Sequence, residues 1–287
     1  MRLRRGLAAG QHAVITGGSS GLGEALASEF VDRGLSVTLV ARREGPLQEA
    51  AARLRRQRPP ARVDVVTADI ANAASTSALF ERLDSAGLAP DVLVNSAGIM
   101  REGYFEALAP SDFTDVMDIN FHGTVHAIRA ALPGLIARQG RIVNIASVAG
   151  LMGVFGYTPY AAAKHALVGF TESLRYELEP RGVRVHLVCP GEFDSPMVQA
   201  LDEARTPENR AHTLAIPKRS LEAVARDTVR GLERDRGRII PGRRTAATVL
   251  GQRLAPGIGA AISRRRIRQA AGSASAAAVL PANTDGA

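Results

Sequence analysis

Cysteine is all but missing from this 287-residue chain, which has a single one, no tryptophan and only 4% aromatic residues. The lone thiol, Cys189, closes no intrachain disulfide, and its place at the end of the apolar run VHLVC assigns it to a buried strand, not to nucleophilic chemistry. Six histidines are scattered without ligand spacing, so no metal site is expected. Long apolar runs are missing too: none reaches the roughly 18 residues of a membrane span. The apolar part of the opening MRLRRGLAAG is too short for a signal peptide, and a cytoplasmic protein is expected. Acids are in deficit, 28 against 36 Lys and Arg, which leaves a formal charge of +8. The excess is local: residues 230–268 hold 11 arginines and two acids, whereas the first 229 residues balance 25 bases with 25 acids. A neutral body offers no nucleic-acid-binding face, and residues 246–268 contain no aromatic to stack on bases, so no nucleic acid is expected as a partner.

What is present is an apolar content of 46%, enough for one sizeable core. It is cut into short β-rich runs: HAVIT (12–16), SVTLV (36–40), VDVVT (63–67), DVLVN (91–95), RIVNIA (141–146), RVHLVC (184–189) and RII (238–240). Helix-length segments separate them, among them 24–32, 46–58, 112–137, 160–179 and 221–233. Strands that are apolar on both faces and alternate with helices predict an α/β fold, a doubly wound parallel sheet of Rossmann type, in a single domain with a C-terminal basic extension. The expected divisions are a body over 11–245, a basic apolar segment over 246–272 and a disordered tail over 273–287. Residues 192–219, after the sixth run, are long and irregular in pattern, as a lid over a ligand would be.

The first run leads straight into TGGSSGLG (16–23) and then into a helix. Gly17, Gly21 and Gly23 allow a tight turn, with Ser19, Ser20 and Leu22 beside them, in which backbone N–H groups approach a diphosphate at the positive end of that helix. At the end of the second strand an acid would hold the adenosine ribose and repel a 2′-phosphate, whereas an arginine pairs with that phosphate. LVARRE (39–44) offers Arg42 and Arg43 before any acid, so NADP(H) is expected over NAD(H). Arg42 is the expected contact; Arg43 fits a solvated surface residue as well.

In YTPYAAAKHA (157–166) two tyrosines precede one lysine. Four helical residues turn a side chain by ~400° and lift it ~6 Å, which puts Tyr160 and Lys164 on one face, whereas Tyr157 is ~10 Å from the lysine. Thr158 and Pro159 read as N-cap and first helical position. A ketone that accepts hydride develops negative charge on oxygen and needs a donor there. A phenol alone, with a pKa near 10, holds its proton too tightly to serve both directions. An ammonium ~4 Å away contributes up to ~4 kcal/mol at an effective dielectric of ~20, about three pKa units, and would bring the phenol near ~7.

TGGSSGLG, NSAG (95–98), Asn120, Ser147 and YAAAK together resemble the short-chain dehydrogenase/reductase family over about residues 11–242, with Ser96 where that family usually has a second Asn. The resemblance implies Tyr160 as general acid/base and Lys164 as both its electrostatic partner and a ribose ligand. Ser147 would hydrogen-bond the substrate carbonyl, and Asn120 would hold a water that links Lys164 to solvent, or serve as a helix-packing amide. Asp69 and Asn95 would border the adenine, Pro190 and Gly191 the nicotinamide, and Ser195 its carboxamide, with Ile70, Ala97, Gly98 and Phe193 among the cofactor contacts. Tyr157 is expected to line the substrate pocket or simply to pack. The apolar lid residues Phe193, Met197, Val198 and Leu201 suit a greasy substrate, or lid packing alone.

FGYTPYAAAKHAL, PGEFDSPM, PENRAHT and IIPG before the arginine-rich end are similar to the 3-ketodihydrosphingosine reductase branch of that family. The branch reduces a long-chain β-keto amino alcohol with NADPH at the cytosolic face of a membrane. The resemblance therefore implies NADPH-dependent reduction of a lipophilic ketone, 3-ketosphinganine-like, by a homo-oligomer. A 3-oxoacyl, steroid-type or other carbonyl reductase stays open, as does an NADP-binding sensor or scaffold. Leu250, Leu254, Ile258 and Ile262 recur every four residues, followed by Arg264, Arg265, Arg266 and Arg268. That pattern reads either as a peripheral membrane anchor or as a segment packed beside the lid, and Pro256, Gly257 and Gly259 predict two short helices in place of one.

Overall fold

The structure, a computed structural model, describes residues 6–214 and 216–279. Its first half alternates β1 (His12–Thr16), α1 (Gly21–Asp32), β2 (Ser36–Ala41), α2 (Glu44–Gln57), β3 (Val63–Thr67), α3 (Ala73–Ser85) and β4 (Val92–Asn95). Next come α4 (Pro110–Met117), α5 (Gly123–Arg138), β5 (Arg141–Ile145), α6 (Thr158–Leu178) and β6 (Arg184–Val188). The chain ends with α7 (Pro196–Ala204), α8 (Pro207–Thr213), α9 (Leu221–Glu233), β7 (Arg238–Ile239), α10 (Arg243–Leu254) and α11 (Pro256–Val279). Every β-rich run of the sequence is a strand, with ends shifted by at most one residue.

The strands pair in parallel in the order β3-β2-β1-β4-β5-β6-β7. β1, β5 and β6 are buried along their whole length, because helices cover both faces of the sheet. One core layer joins β1 and β2 to α1, α2 and α9 through Phe30, Leu26, Leu47, Leu54 and Leu232. The other joins β4 and β5 to α3 and α5 through Leu93, Ile142, Phe80 and Leu135. Chain order reverses between β1 and β4, and register aligns Thr16 with Asn95 and Asn95 with Asn144. The carboxyl ends are therefore level, and the crevice beyond them at the reversal is where this topology binds ligands.

Four local expectations change. The helix expected over 112–137 is divided by a π turn at Asp118–His122, which separates α4 from α5. Gly123 just after the turn packs on Ile70, where a Cβ would lie 2.6 Å from the isoleucine Cδ1. Helix α6 starts one residue early: Tyr157 is the N-cap, and Thr158 and Pro159 open the helix. The irregular stretch 192–219 contains α7 and α8, closed at its base by a bridge between Phe193 and Arg219. Finally, α11 continues to Val279, so the disordered tail expected from 273 is helical over its first seven residues; residues 280–287 lie outside the described part. No helix among the described residues is long and apolar enough to cross a membrane.

Candidate active site

A cleft of about 1050 Å³ runs along the carboxyl edge of the sheet. At one end lies the turn after β1. Gly17 takes φ +68° and lies so close to the next turn that a Cβ would fall 2.7 Å from the Ala97 backbone. Gly21 has φ +57°, and a Cβ there would touch only the Ser195 Cβ, at 4.0 Å. Helix α1 begins here with Ser20 as N-cap, whose side chain makes no capping bond, so the N–H groups of its first turn remain available to an anion. Gly17, Ser19, Ser20, Gly21 and Leu22 all line the cleft. Gly23 does not; it packs under the turn, where a Cβ would be 2.3 Å from the Gly17 carbonyl oxygen, and so serves helix–strand contact, not ligand approach.

Arg42 and Arg43 border the cleft after β2, both exposed. Asp69 and Ile70 border it after β3, and Ser96, Ala97 and Gly98 after β4. Asn95 is placed differently from the expectation. Its side chain is buried at the end of β4, where Nδ2 donates to Asn144 Oδ1 at 2.8 Å, and the neighbouring Ser96 lines the cleft instead. The reason is strand alternation: Asn95 points into the sheet layer, whereas the turn begins one residue later.

At the far end Ser147, Tyr157, Tyr160 and Lys164 share the cleft with Pro190, Gly191, Phe193, Ser195 and Met197. Ser147 follows β5, and its Oγ accepts from Ala149 N–H at 3.1 Å. The N–H of Val148 donates to the Pro190 carbonyl at 2.8 Å, which ties the ends of β5 and β6 together. The nearby Ser147 side chain favours the Tyr160 phenolate. Lys164 lies one turn on; its Nζ is 5.5 Å from the Tyr160 ring centre and donates to the Ile145 carbonyl at 2.9 Å.

The expectation of a phenol near pKa 7 is corrected here. Burial pushes Tyr160 up to about 12, and the neighbouring Ser147 side chain offsets this only in part. Burial also lowers Lys164 to about 8. Desolvation of two enclosed groups outweighs the field that a half-solvated ammonium would exert. Asn120 stands behind the cleft wall. Its Oδ1 accepts from Ile99 N–H at 2.8 Å and its Nδ2 donates to the Ile99 carbonyl at 2.9 Å, so the amide holds the loop after β4.

Two further parts complete the site, the first without local signal in the sequence and the second in the segment read above as a membrane anchor or a piece packed beside the lid. The first is a buried polar cluster: the Arg205 side chain, with no exposed surface, contacts both Glu192 carboxylate oxygens at 3.1 Å and lies 3.2 Å from Asp202 Oδ1. Tyr157 Oη donates to Glu192 Oε1 at 3.2 Å, so the cluster reaches the ring that stacks edge-on against Tyr160. Burial first, then the Glu192 charge, raises the Tyr157 pKa. Helix α8 is held down as well, through Thr206 Oγ1 to Glu102, Tyr104 Oη to Glu208 and Phe155 N–H to His212 Nδ1. The second is the C-terminal pair. Ile258 and Ile262 face into the cleft, whereas Leu250 and Leu254 do not line it and are 56% and 76% exposed. The single apolar stripe expected over these four residues is split because the helix breaks at Ala255.

The sequence profile of the family described as short chain dehydrogenase matches residues 11–206. A 3-ketodihydrosphingosine reductase of Bos taurus is 34% identical over 230 residues, 77% of this chain and 69% of its own length. A 3-oxoacyl-acyl-carrier-protein reductase of Vibrio cholerae is 34% identical over 207 residues, covering 72% of this chain and 81% of its own. Among solved structures, a short chain dehydrogenase/reductase from Burkholderia phymatum in complex with NAD superposes with a TM-score of 0.76 at 27% identity, over 90% of this chain and 96% of that one. An NADPH-bound short chain oxidoreductase from Pseudomonas aeruginosa gives 0.72 at 26% identity, over 81% and 96%. Profile, relatives and superposed sheets agree on one assignment: the chain belongs to the short chain dehydrogenase family.

Proposed function

We propose that the protein reduces a lipophilic ketone to a secondary alcohol with NADPH, and that a long-chain, 3-ketosphinganine-like ketone is its substrate. The observation that carries this reading is the placement of Ser147, Tyr160 and Lys164 at one end of a cleft whose other end holds Gly21, the open first turn of α1 and Arg42. The cradle fits a dinucleotide: a Cβ on Gly17 would collide with the Ala97 backbone, so the turn stays free of side chains there, and the uncapped N–H groups of α1 would receive a diphosphate. When bound, NADPH supplies the hydride. Ser147 and Tyr160 hold the carbonyl oxygen, Tyr160 gives it a proton, and Lys164 orients the cofactor ribose while its charge favours the resulting phenolate. A phenol held at about 12 is protonated at neutral pH, which is the form a ketone reduction consumes. Support for a greasy substrate comes from Met152, Val154, Met197, Ile216, Ile258 and Ile262, which line the same cleft as Tyr160. Relatives named as a 3-ketodihydrosphingosine reductase and a 3-oxoacyl-acyl-carrier-protein reductase accord with a ketone substrate.

The test is NADPH oxidation with a panel of ketones of rising chain length, including 3-ketosphinganine, and NADH in parallel. Turnover confined to short ketones removes the long-chain part of the reading. Arg42→Ala is expected to weaken NADPH about tenfold to a hundredfold and NADH little, because a guanidinium–phosphate hydrogen bond contributes ~1.5 to 3 kcal/mol. A wild-type protein that prefers NADH overturns the cofactor assignment.

Peripheral membrane contact is proposed through Leu250 and Leu254, exposed beside Arg253. It requires sedimentation with anionic but not neutral vesicles, reversed by salt and lost in a Leu250→Ser/Leu254→Ser variant; equal sedimentation of that variant removes it.

A further inference from the structure

One wall of the cleft comes from a part of the chain outside the matched family profile. Thr248, Gly251, Ala255, Gly259, Ile262 and Arg266 all line it. Thr248 and Gly251 share one face of α10, Gly259, Ile262 and Arg266 share one face of α11, and the break at Ala255 turns both faces toward the cavity that holds Tyr160. From this we infer that α10 and α11 form a trough for the aliphatic chain of the ketone, and that this segment sets the chain-length preference of the site. The inference rests on the reductase reading above.

The position of the trough follows from its two ends. Helix α10 starts against the catalytic end: Thr245 is buried, and a Cβ on Gly191 would lie 3.2 Å from its Cγ2. Helix α11 then passes over α8. There it approaches His212, whose pKa is lowered first by burial and then by the nearby Arg266 charge. His212 accepts from the N–H of Phe155, in the loop between Ser147 and Tyr157. The trough therefore leaves the reaction centre on the side of that loop, away from the glycine turn and the arginines after β2.

Its lining is suited to methylene groups. Ile258 and Ile262 are 66% and 51% exposed, and the surface they expose includes the cleft wall. The same wall carries the small residues Thr248, Gly251 and Ala255, together with the Gln252 side chain, whose Oε1 lies 1.6 Å from where a Cβ on Gly259 would stand. A Cβ on Gly251, in the interior of α10, would meet nothing within 4 Å. Glycine weakens a helix interior, so leucine here would strengthen α10 while filling the space in front of it. Arg266 stands at the outer end, where the chain would meet water. Transfer of each methylene from water into such a trough is worth about a threefold to fourfold gain in binding. Catalytic efficiency should then climb with chain length until the trough is full.

The experiment compares wild type with Gly251→Leu, each with NADPH, on methyl ketones from 2-butanone to 2-tridecanone. Binding of 1-dodecanol to both proteins is followed by ligand-observed NMR. Expected is a wild-type kcat/KM that rises with chain length and a variant whose ratio of 2-tridecanone to 2-butanone efficiency is at least about tenfold lower, the equivalent of two methylenes lost. Thermal stability of the variant should be unchanged or higher, which separates a filled trough from a damaged fold. A variant with the wild-type chain-length profile, or equal dodecanol binding by both proteins, overturns the trough. Dodecanol binding that is lost in Gly251→Leu, with no ketone reduced by either protein, supports the trough and removes the reductase reading instead.

Discussion

Tyr160→Phe is expected to lower kcat for ketone reduction by about a thousandfold or more while changing NADPH affinity less than about threefold. The ring remains, so its edge-on contact with Tyr157 and the shape of the cleft are kept. What disappears is the proton that must reach the ketone oxygen, and positioned general acids contribute on the order of a hundredfold to ten-thousandfold. Tyr157→Phe is the control within the same stretch. Its hydroxyl donates to Glu192, which keeps its bonds from Arg205, so the loss should be confined to a few-fold. Steady-state kinetics and NADPH titration of the two variants decide the matter. Equal losses would mean that the division of labour between the tyrosines is wrong.

The second large effect is expected at Arg205. Arg205→Ala leaves the mostly buried Glu192 carboxylate beside Tyr157 without its counter-charge, the kind of loss that costs about 3 to 5 kcal/mol. Because Arg205 joins the loop after β6 to Asp202 on α7 and Thr213 on α8, that cost falls on the lid before it falls on the sheet. Amide exchange over residues 196–213 should accelerate by about a hundredfold or more, and kcat/KM should fall, while the strands keep their protection. Glu192→Gln in the same protein removes the stranded charge and should recover part of the loss, since paired residues are not additive. Unchanged exchange in α7 and α8 of Arg205→Ala would show that the cluster does not hold the lid.

The correction at Tyr160 bears on both expectations. Spacing places a phenol and an ammonium on one helical face, and α6 does so. Spacing carries no information on how much water surrounds them. In the folded chain both are enclosed, and burial moves the phenol up and the ammonium down. Asn95 and Asn120 teach the same lesson in another form. A motif identifies the turn that carries them, but side-chain direction within the turn comes from strand alternation and from which backbone groups need partners, here Asn144 and the Ile99 peptide.

The sequence by itself determined the parallel sheet, the glycine turn after β1, the arginines after β2 and the pairing of Tyr160 with Lys164. These are local matters: apolar runs with a period set by strand or helix, and residues a few positions apart on one element. Only the tertiary structure decided that Arg205 reaches back to Glu192, that α8 is pinned to the loops after β4 and β5, and that α10 and α11 turn the face from Thr248 to Arg266 toward the catalytic cleft. An arginine in a lid and a small-residue face on a basic helix have many possible partners along a chain. Which of them it meets depends on how elements far apart in sequence pack around a common core, and no local pattern encodes that choice.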